Sequence, residues 1–173
     1  MLRNISVKNT FLFLPITLMN TFCEVSSQKI SNGTSYGQQT LKNSIQQKNV
    51  YGRPLEICSL DPLTGFYRDG YSRTDDKDHG SHVVCARVTK EFLDFTKSQG
   101  NDLSTPHGRA FPGLKPGDYW SLCALRWLEA KSGIGRGPPV NLAATNEAAL
   151  RFIPLAVLEQ ADDKSVSGDH DEL

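Results

Sequence analysis

His82 and three cysteines are the side chains with the sharpest chemistry in the chain, and their spacing decides which chemistry to weigh. His82 and Cys85 stand three apart in the β-branched run His82–Val88. With Cys58 and Cys123 they make a Cys₃His set, an accepted donor combination for zinc. No Cys-x-x-Cys pair accompanies them, so the usual spacing of a zinc site is missing. On an extended strand, residues three apart face opposite sides, and His82 can join Cys85 only across a bulge. A cysteine with His82 as base and an aspartate orienting the ring would be thiol-hydrolase chemistry. Nothing in the local sequence places a cysteine at a helix N-terminus, where its thiol would be activated. Cysteines acting as small buried hydrophobes, or as one disulfide, are the structural alternative.

His82 can also serve as the general base of a hydrolytic enzyme, with Asp61 or Asp102 assisting. A third set is suited to binding: Arg68, Asp69, Asn101, Thr105, Asp118 and Arg126. Several of these lie in or beside Gly/Pro turns, where loops held by a scaffold commonly place binding groups. Each has a structural counterpart. Asp61 and Asp118 fit side-chain-to-backbone bonds within turns, Asn101 and Asp102 follow a helix end, and Arg68–Asp69 and Arg126 fit a buried ion pair. Trp120 and Trp127 read as core residues. The reading that demands least is a binding module, with a cleft between segments 61–69 and 101–118 that takes a small polar molecule or a peptide. Gly133–Gly137 carries three glycines but leads into Pro138–Pro139 and not a helix, so it builds no phosphate loop.

These residues must be held by a small scaffold. Val50–Leu55 reads as an edge strand or loop. Asp61–Gly65 has the composition of a type I turn, Phe66–Tyr71 reads as a strand broken at Asp69–Gly70, and Arg73–Gly80 as a charged loop. His82–Val88 is a buried strand. Thr89 caps a helix with Phe92, Leu93 and Phe95 as its apolar stripe, closed by Gly100. Residues 101–116 hold three prolines and two glycines and read as a long irregular loop, which is more often functional than accidental. A strand over Tyr119–Leu125, a short helix over Arg126–Lys131 closed by Gly133, and a third strand over Val140–Ala143 follow. Thr145 caps a further helix, and Pro154 restarts a final helical turn through Gln160. The fold class is α+β: one small domain over residues 50–160, with a short mostly antiparallel or mixed sheet, three or four helices and long irregular loops.

Charge narrows the partners. The 173 residues carry 19 Lys+Arg against 19 Asp+Glu, so no basic excess exists to hold a nucleic-acid backbone. No run reaches the ~18 apolar residues of a transmembrane segment. Both ends read as addresses. Arg3 and Lys8, the apolar stretch Phe11–Met19 and the small residues to Ser27 follow the order of a signal peptide, assigned to residues 1–27. His170-Asp171-Glu172-Leu173 is a receptor-read retention signal of the endoplasmic reticulum, on a flexible tail spanning 161–173. Residues 28–49 read as a disordered spacer in which Asn32-Gly33-Thr34 is a glycosylation acceptor. The expected location is the endoplasmic reticulum lumen, with the retention receptor as a partner. A two-part plastid address is the alternative, against which the tetrapeptide argues. Cleavage after Cys23 or Ser27 would remove Cys23 and leave three cysteines, hence at most one internal disulfide and one thiol over.

Several strings are distinctive as text: Cys58-Ser-Leu-Asp-Pro-Leu-Thr-Gly-Phe-Tyr-Arg-Asp-Gly70, Gly80-Ser-His-Val-Val-Cys-Ala86, Gly100-Asn-Asp-Leu-Ser-Thr-Pro106, Phe111-Pro-Gly-Leu-Lys-Pro-Gly-Asp-Tyr-Trp120 and Arg126-Trp-Leu-Glu-Ala130. Over about residues 50–160 the chain resembles the family called domain of unknown function 2237, found in bacteria and in plants and algae. The resemblance implies no particular reaction. It also implies cysteine at positions 72 and 121, where this chain has Ser72 and Ser121. A paired loss is what two partnered cysteines would show, and it argues that neither thiol serves a shared chemistry.

Overall fold

The computed structural model describes residues 47–108 and 111–165. Its centre is a two-stranded antiparallel sheet, β1 (His82–Arg87) and β2 (Tyr119–Cys123). β1 is apolar on both faces: Val83, Val84, Cys85 and Ala86 are all fully buried, as a strand covered on both sides requires. Val84 stands opposite Leu122, Cys85 opposite Ser121 and Ala86 opposite Trp120, with an irregularity between His82 and Val84.

The other edge of β1 is covered without a ladder. The amide of Asn141 donates to Cys85 O and that of Asn146 to Val83 O, and Pro139 O accepts from the Arg87 amide. Val140 bridges Ala86 on one side and Asp162 on the other. The third strand expected over Val140–Ala143 is therefore absent. Pro138 and Pro139 lead into it and each lacks an N–H donor, and the chain turns at Ala143–Thr145 instead of running on.

Helices close the core. α1 (Lys90–Ser98) starts at Thr89, whose Oγ accepts from the Phe92 amide at 3.1 Å. It buries Phe92, Leu93 and Thr96 and stops before Gly100, whose φ of +82° suits a residue without Cβ. α2 (Ala124–Gly133) buries Ala124, Trp127 and Ala130. Gly133 does more than end α2, since a Cβ there would stand 2.4 Å from Phe95 Cζ. The two helices touch only because the residue is glycine. A 3-10 turn at Glu147–Arg151 and the short α3 (Leu155–Glu159) complete the chain.

The cap of the 3-10 turn is Asn146, whose Oδ1 accepts from the Ala148 amide. Thr145 was the expected cap. Its hydroxyl is buried, accepts from the Cys85 amide and donates to Asn141 O, so it serves the edge of β1 that has no ladder. Twenty buried residues form one continuous core around Phe92, Phe111, Trp127, Ile153 and Leu158. Each of these large side chains contributes about 1.5–3 kcal/mol through burial. No helix among the described residues is long and apolar enough to cross a membrane. The architecture is a small α+β domain.

Candidate functional site

The segment from Ile57 to Ser81 lies beside the end of β1 as irregular chain. Phe66–Tyr71, expected as a strand, is a series of turns. Gly65 and Gly70 have φ near +90° and Arg68 has φ +52°, three left-handed residues that no strand accommodates. A Cβ on Gly65 would stand 2.3 Å from Tyr71 O. The Asp61–Pro62 bond is cis.

Several connections tie this segment to the sheet and to itself. Cys58 and Cys85 form a disulfide with a Cα–Cα separation of 5.6 Å. Thr64, fully buried, accepts from the Ser121 amide at 2.8 Å. The amides of Cys58 and Ser59 both donate to Gly70 O, folding the segment onto itself. Cysteine chemistry is thereby corrected. With their sulfurs bonded to each other, Cys58 and Cys85 offer no thiolate to a metal or a substrate, and the Cys₃His zinc set with His82 and Cys123 loses two of its donors. Cys123 is not a free thiol either, so the expected leftover thiol is not there. No other group of metal-ligating side chains occurs among the described residues.

Arg68 is the unusual member of the segment. Its guanidinium lies 4.8 Å from the centre of the Trp120 ring and donates to Gly65 O at 2.7 Å. It has no carboxylate partner among the described residues, although it is half-buried. Burial pulls its pKa down, with no neighbouring anion to restore it. The adjacent ions are all matched. Asp69 takes Arg73 and the Tyr71 amide, and the Arg73 guanidinium lies over the Tyr67 ring. Arg126 pairs with Glu129 at 2.7 Å. The anticipated ion pair of Arg68–Asp69 with Arg126 is replaced by these two local pairs, each three or four residues apart in sequence.

His82 is held by a carboxylate that the sequence reading passed over. Asp78 Oδ1 lies 2.6 Å from His82 Nδ1, and Asp78 Oδ2 accepts from the His82 amide and the Thr74 hydroxyl. The Asp78 side chain is fully buried. Burial alone would raise its pKa, but the His82 ring and amide and the Thr74 hydroxyl outweigh it and hold the carboxylate below its usual range. The imidazole stacks on Phe66, ring centres 5.8 Å apart. Of the two carboxylates assigned to it from sequence, Asp61 is exposed and makes no hydrogen bond among the described residues. Asp102 is occupied by its own turn: it accepts from the Ser104 and Thr105 amides and the Thr105 hydroxyl, and pairs with Lys97.

His82, Asn101, Trp120 and Arg126 do meet, around a cleft of about 20 Å³. Trp120 is its shared floor. Arg68 covers one part of the indole and Phe111 meets it edge-on at 5.4 Å, so segments 61–69 and 101–118 do converge. Asn101 is fixed by Thr96, through a side-chain bond and its own amide to Thr96 O. Thr105 is committed to Asp102 and Asp118 to the Lys115 amide. These two, with Asp61, Asp102, Arg68 and Asp69, lie outside the cleft lining.

Comparison with known families decides the kinship. The family described as "Uncharacterized protein conserved in bacteria (DUF2237)" matches residues 48–162. The chain belongs to that family. No curated protein matches the chain. In this member of DUF2237, Ser72 is fully buried and its hydroxyl has no partner, whereas the buried Ser121 donates to His82 O at 2.7 Å. A sulfur at position 72 would need no hydrogen bond, which fits the cysteine that the resemblance implies there. The segment 1–46, the tail 166–173, the Asn32 acceptor and the tetrapeptide His170, Asp171, Glu172 and Leu173 lie outside the described residues.

Proposed function

We propose that this protein binds a small polar ligand through an anionic group at Arg68, whose guanidinium lies on the Trp120 ring beside the cleft that Trp120 and His82 line. One observation carries the reading: a half-buried arginine with no carboxylate partner, held on an aromatic face by a left-handed backbone. Buried charges are ordinarily paired. Left-handed backbone at a residue with a Cβ costs roughly 1 kcal/mol, and such strain collects at binding sites. An incoming carboxylate or phosphate supplies the missing anion and forms charge-assisted bonds with a planar donor fork. The cleft is too small to enclose a whole molecule. It takes the anionic head and leaves the rest of the ligand outside, as a peptide carboxylate or a small organic acid would be left.

The test is thermal unfolding with increasing phosphate or succinate. The unfolding temperature of the wild type rises with either probe, and that of Arg68→Gln does not. A rise of equal size in both proteins would show that the anion acts elsewhere. The Asp78–His82 contact favours a second reading. A ring oriented by a buried carboxylate is the arrangement of a general base, and it keeps a hydrolytic role open with Asp78 in place of Asp61 or Asp102. His82→Gln that keeps anion binding but loses turnover of an ester probe supports that reading.

We place the protein in the endoplasmic reticulum lumen, with the retention receptor as a partner. Support comes from the signal-like and retention-like ends and from the buried Cys58–Cys85 disulfide, which suits an oxidising compartment. Removal of a glycan at Asn32 by endoglycosidase H, from protein taken from its own cells, supports this placement. A full-length unglycosylated chain contradicts it.

A further inference from the structure

A second and larger concavity lies away from the Arg68 cleft. It has a volume of about 350 Å³ and is bounded by the start of α1, the end of α2, the Gly-Pro segment 136–139 and the end of α3. Volumes from roughly 300 Å³ upward are those of ligand sites. Phe92, Trp127, Pro138, Pro139 and Val157 supply apolar walls.

One wall is fixed. Trp127 Nε1 donates to Pro138 O at 2.9 Å, and a Cβ on Gly137 would stand 2.2 Å from the indole. The Gly137–Pro139 strip therefore lies flat against a buried ring, and two consecutive prolines restrict its backbone. A wall set before binding loses little entropy when a ligand arrives.

The rim decides the chemistry. Glu91 is paired with Arg136, and Asp162 with Lys164 at 2.5 Å. Lys131, half-buried on the last turn of α2, has no ion pair among the described residues. The lining charges balance, Lys131 and Arg136 against Glu91 and Asp162, but Arg136 takes Glu91 and Lys164 takes Asp162, so the Lys131 ammonium is left beside apolar walls. We infer that this groove is a binding site for a compact amphipathic carboxylate: an apolar body against Trp127, Pro138 and Val157, and a carboxylate at Lys131. It is separate from the Arg68 cleft and does not depend on it.

Octanoate and octan-1-ol are the probes, because they share a chain and differ in the charged head. Binding is followed by calorimetry and by the NMR position of the Trp127 indole N–H. The expected results are saturable octanoate binding that moves the Trp127 signal, and octanol about tenfold weaker, the worth of one charge-assisted bond. Lys131→Met brings the two probes level, and Val157→Trp fills the groove and blocks both. The inference is overturned by octanoate that fails to saturate, by a Trp127 signal that stays still, or by Lys131→Met binding octanoate as the wild type does.

Discussion

Replacing Cys58 and Cys85 together by alanine tests whether the Arg68 segment is held as described. The two residues are 27 apart in sequence. Closing a loop of that size restricts the denatured chain by about 3.5 kcal/mol in the chain-entropy treatment. Cys85 is fully buried and Cys58 nearly so, so losing two sulfurs from a packed site adds on the order of 1 kcal/mol. The double variant should lose about 3–5 kcal/mol. Urea unfolding followed by circular dichroism reads this directly. With a slope near 2 kcal/mol/M, the midpoint falls by about 2 M, and the slope itself rises because the uncrosslinked denatured chain exposes more surface. The same variant should bind phosphate more weakly, because the segment carrying Arg68 keeps only Thr64 as its anchor to β2. A loss below about 1 kcal/mol with an unchanged slope would refute the reasoning, since the crosslink would then constrain nothing.

Other substitutions probe separate parts of the account. Asp163 is buried and accepts from Arg87, Tyr119 and Ser165. Burial pushes its pKa up, but these donors outweigh it and hold it well below the usual carboxylate range. Its folded pKa is thus depressed, so its stabilisation is full above the unfolded value near 3.9 and fades as pH falls below that. Asp163→Asn should cost about 2–4 kcal/mol at neutral pH and flatten the acid limb of a stability-against-pH curve. Gly137→Ala forces a methyl into Trp127 and should cost about 1–3 kcal/mol, read as a lower unfolding temperature. Ser72→Ala removes a buried hydroxyl with no partner and should leave stability unchanged or raise it by about 1 kcal/mol in the same scan. Arg68→Gly relieves the left-handed backbone while losing the contact with Trp120. Its stability should stay within about 1 kcal/mol of the wild type, yet its anion binding should vanish, a separation that a structural arginine would not show.

How much of this was legible in the sequence differs from element to element. Thr89 and its apolar stripe announced α1, and the run of β-branched residues announced β1, because cap chemistry and continuous burial leave local marks. Phe66–Tyr71 misled, since its aromatic residues look like a strand until the left-handed Arg68 and Gly70 are known to interrupt them. Val140–Ala143 has strand composition, but it meets β1 by single bonds and never forms a ladder. Residues 101 and 126 read as binding groups and His82 as a base apart from them, yet the fold brings all three to one cleft. Asp78 carried no such mark. It sits among Asp75, Asp76 and Lys77 in a charged loop, and only the turn ending at Ser81, with φ +49°, brings it back to His82. Cysteine pairing is a matter of three-dimensional distance, so the text allows one disulfide among Cys58, Cys85 and Cys123 without saying which two form it. The missing partner of Arg68 is likewise invisible in text, because an unpaired charge is defined by what surrounds it.

The most direct test of the central claim is a titration of ¹⁵N-labelled full-length protein with phosphate, following the Arg68 side-chain Nε–H. The account predicts a saturable shift of that signal, accompanied by shifts at Trp120 and His82, and none at Asp102 or Asp118. A protein whose Arg68 signal stays still, or moves only in proportion to ionic strength, would contradict it.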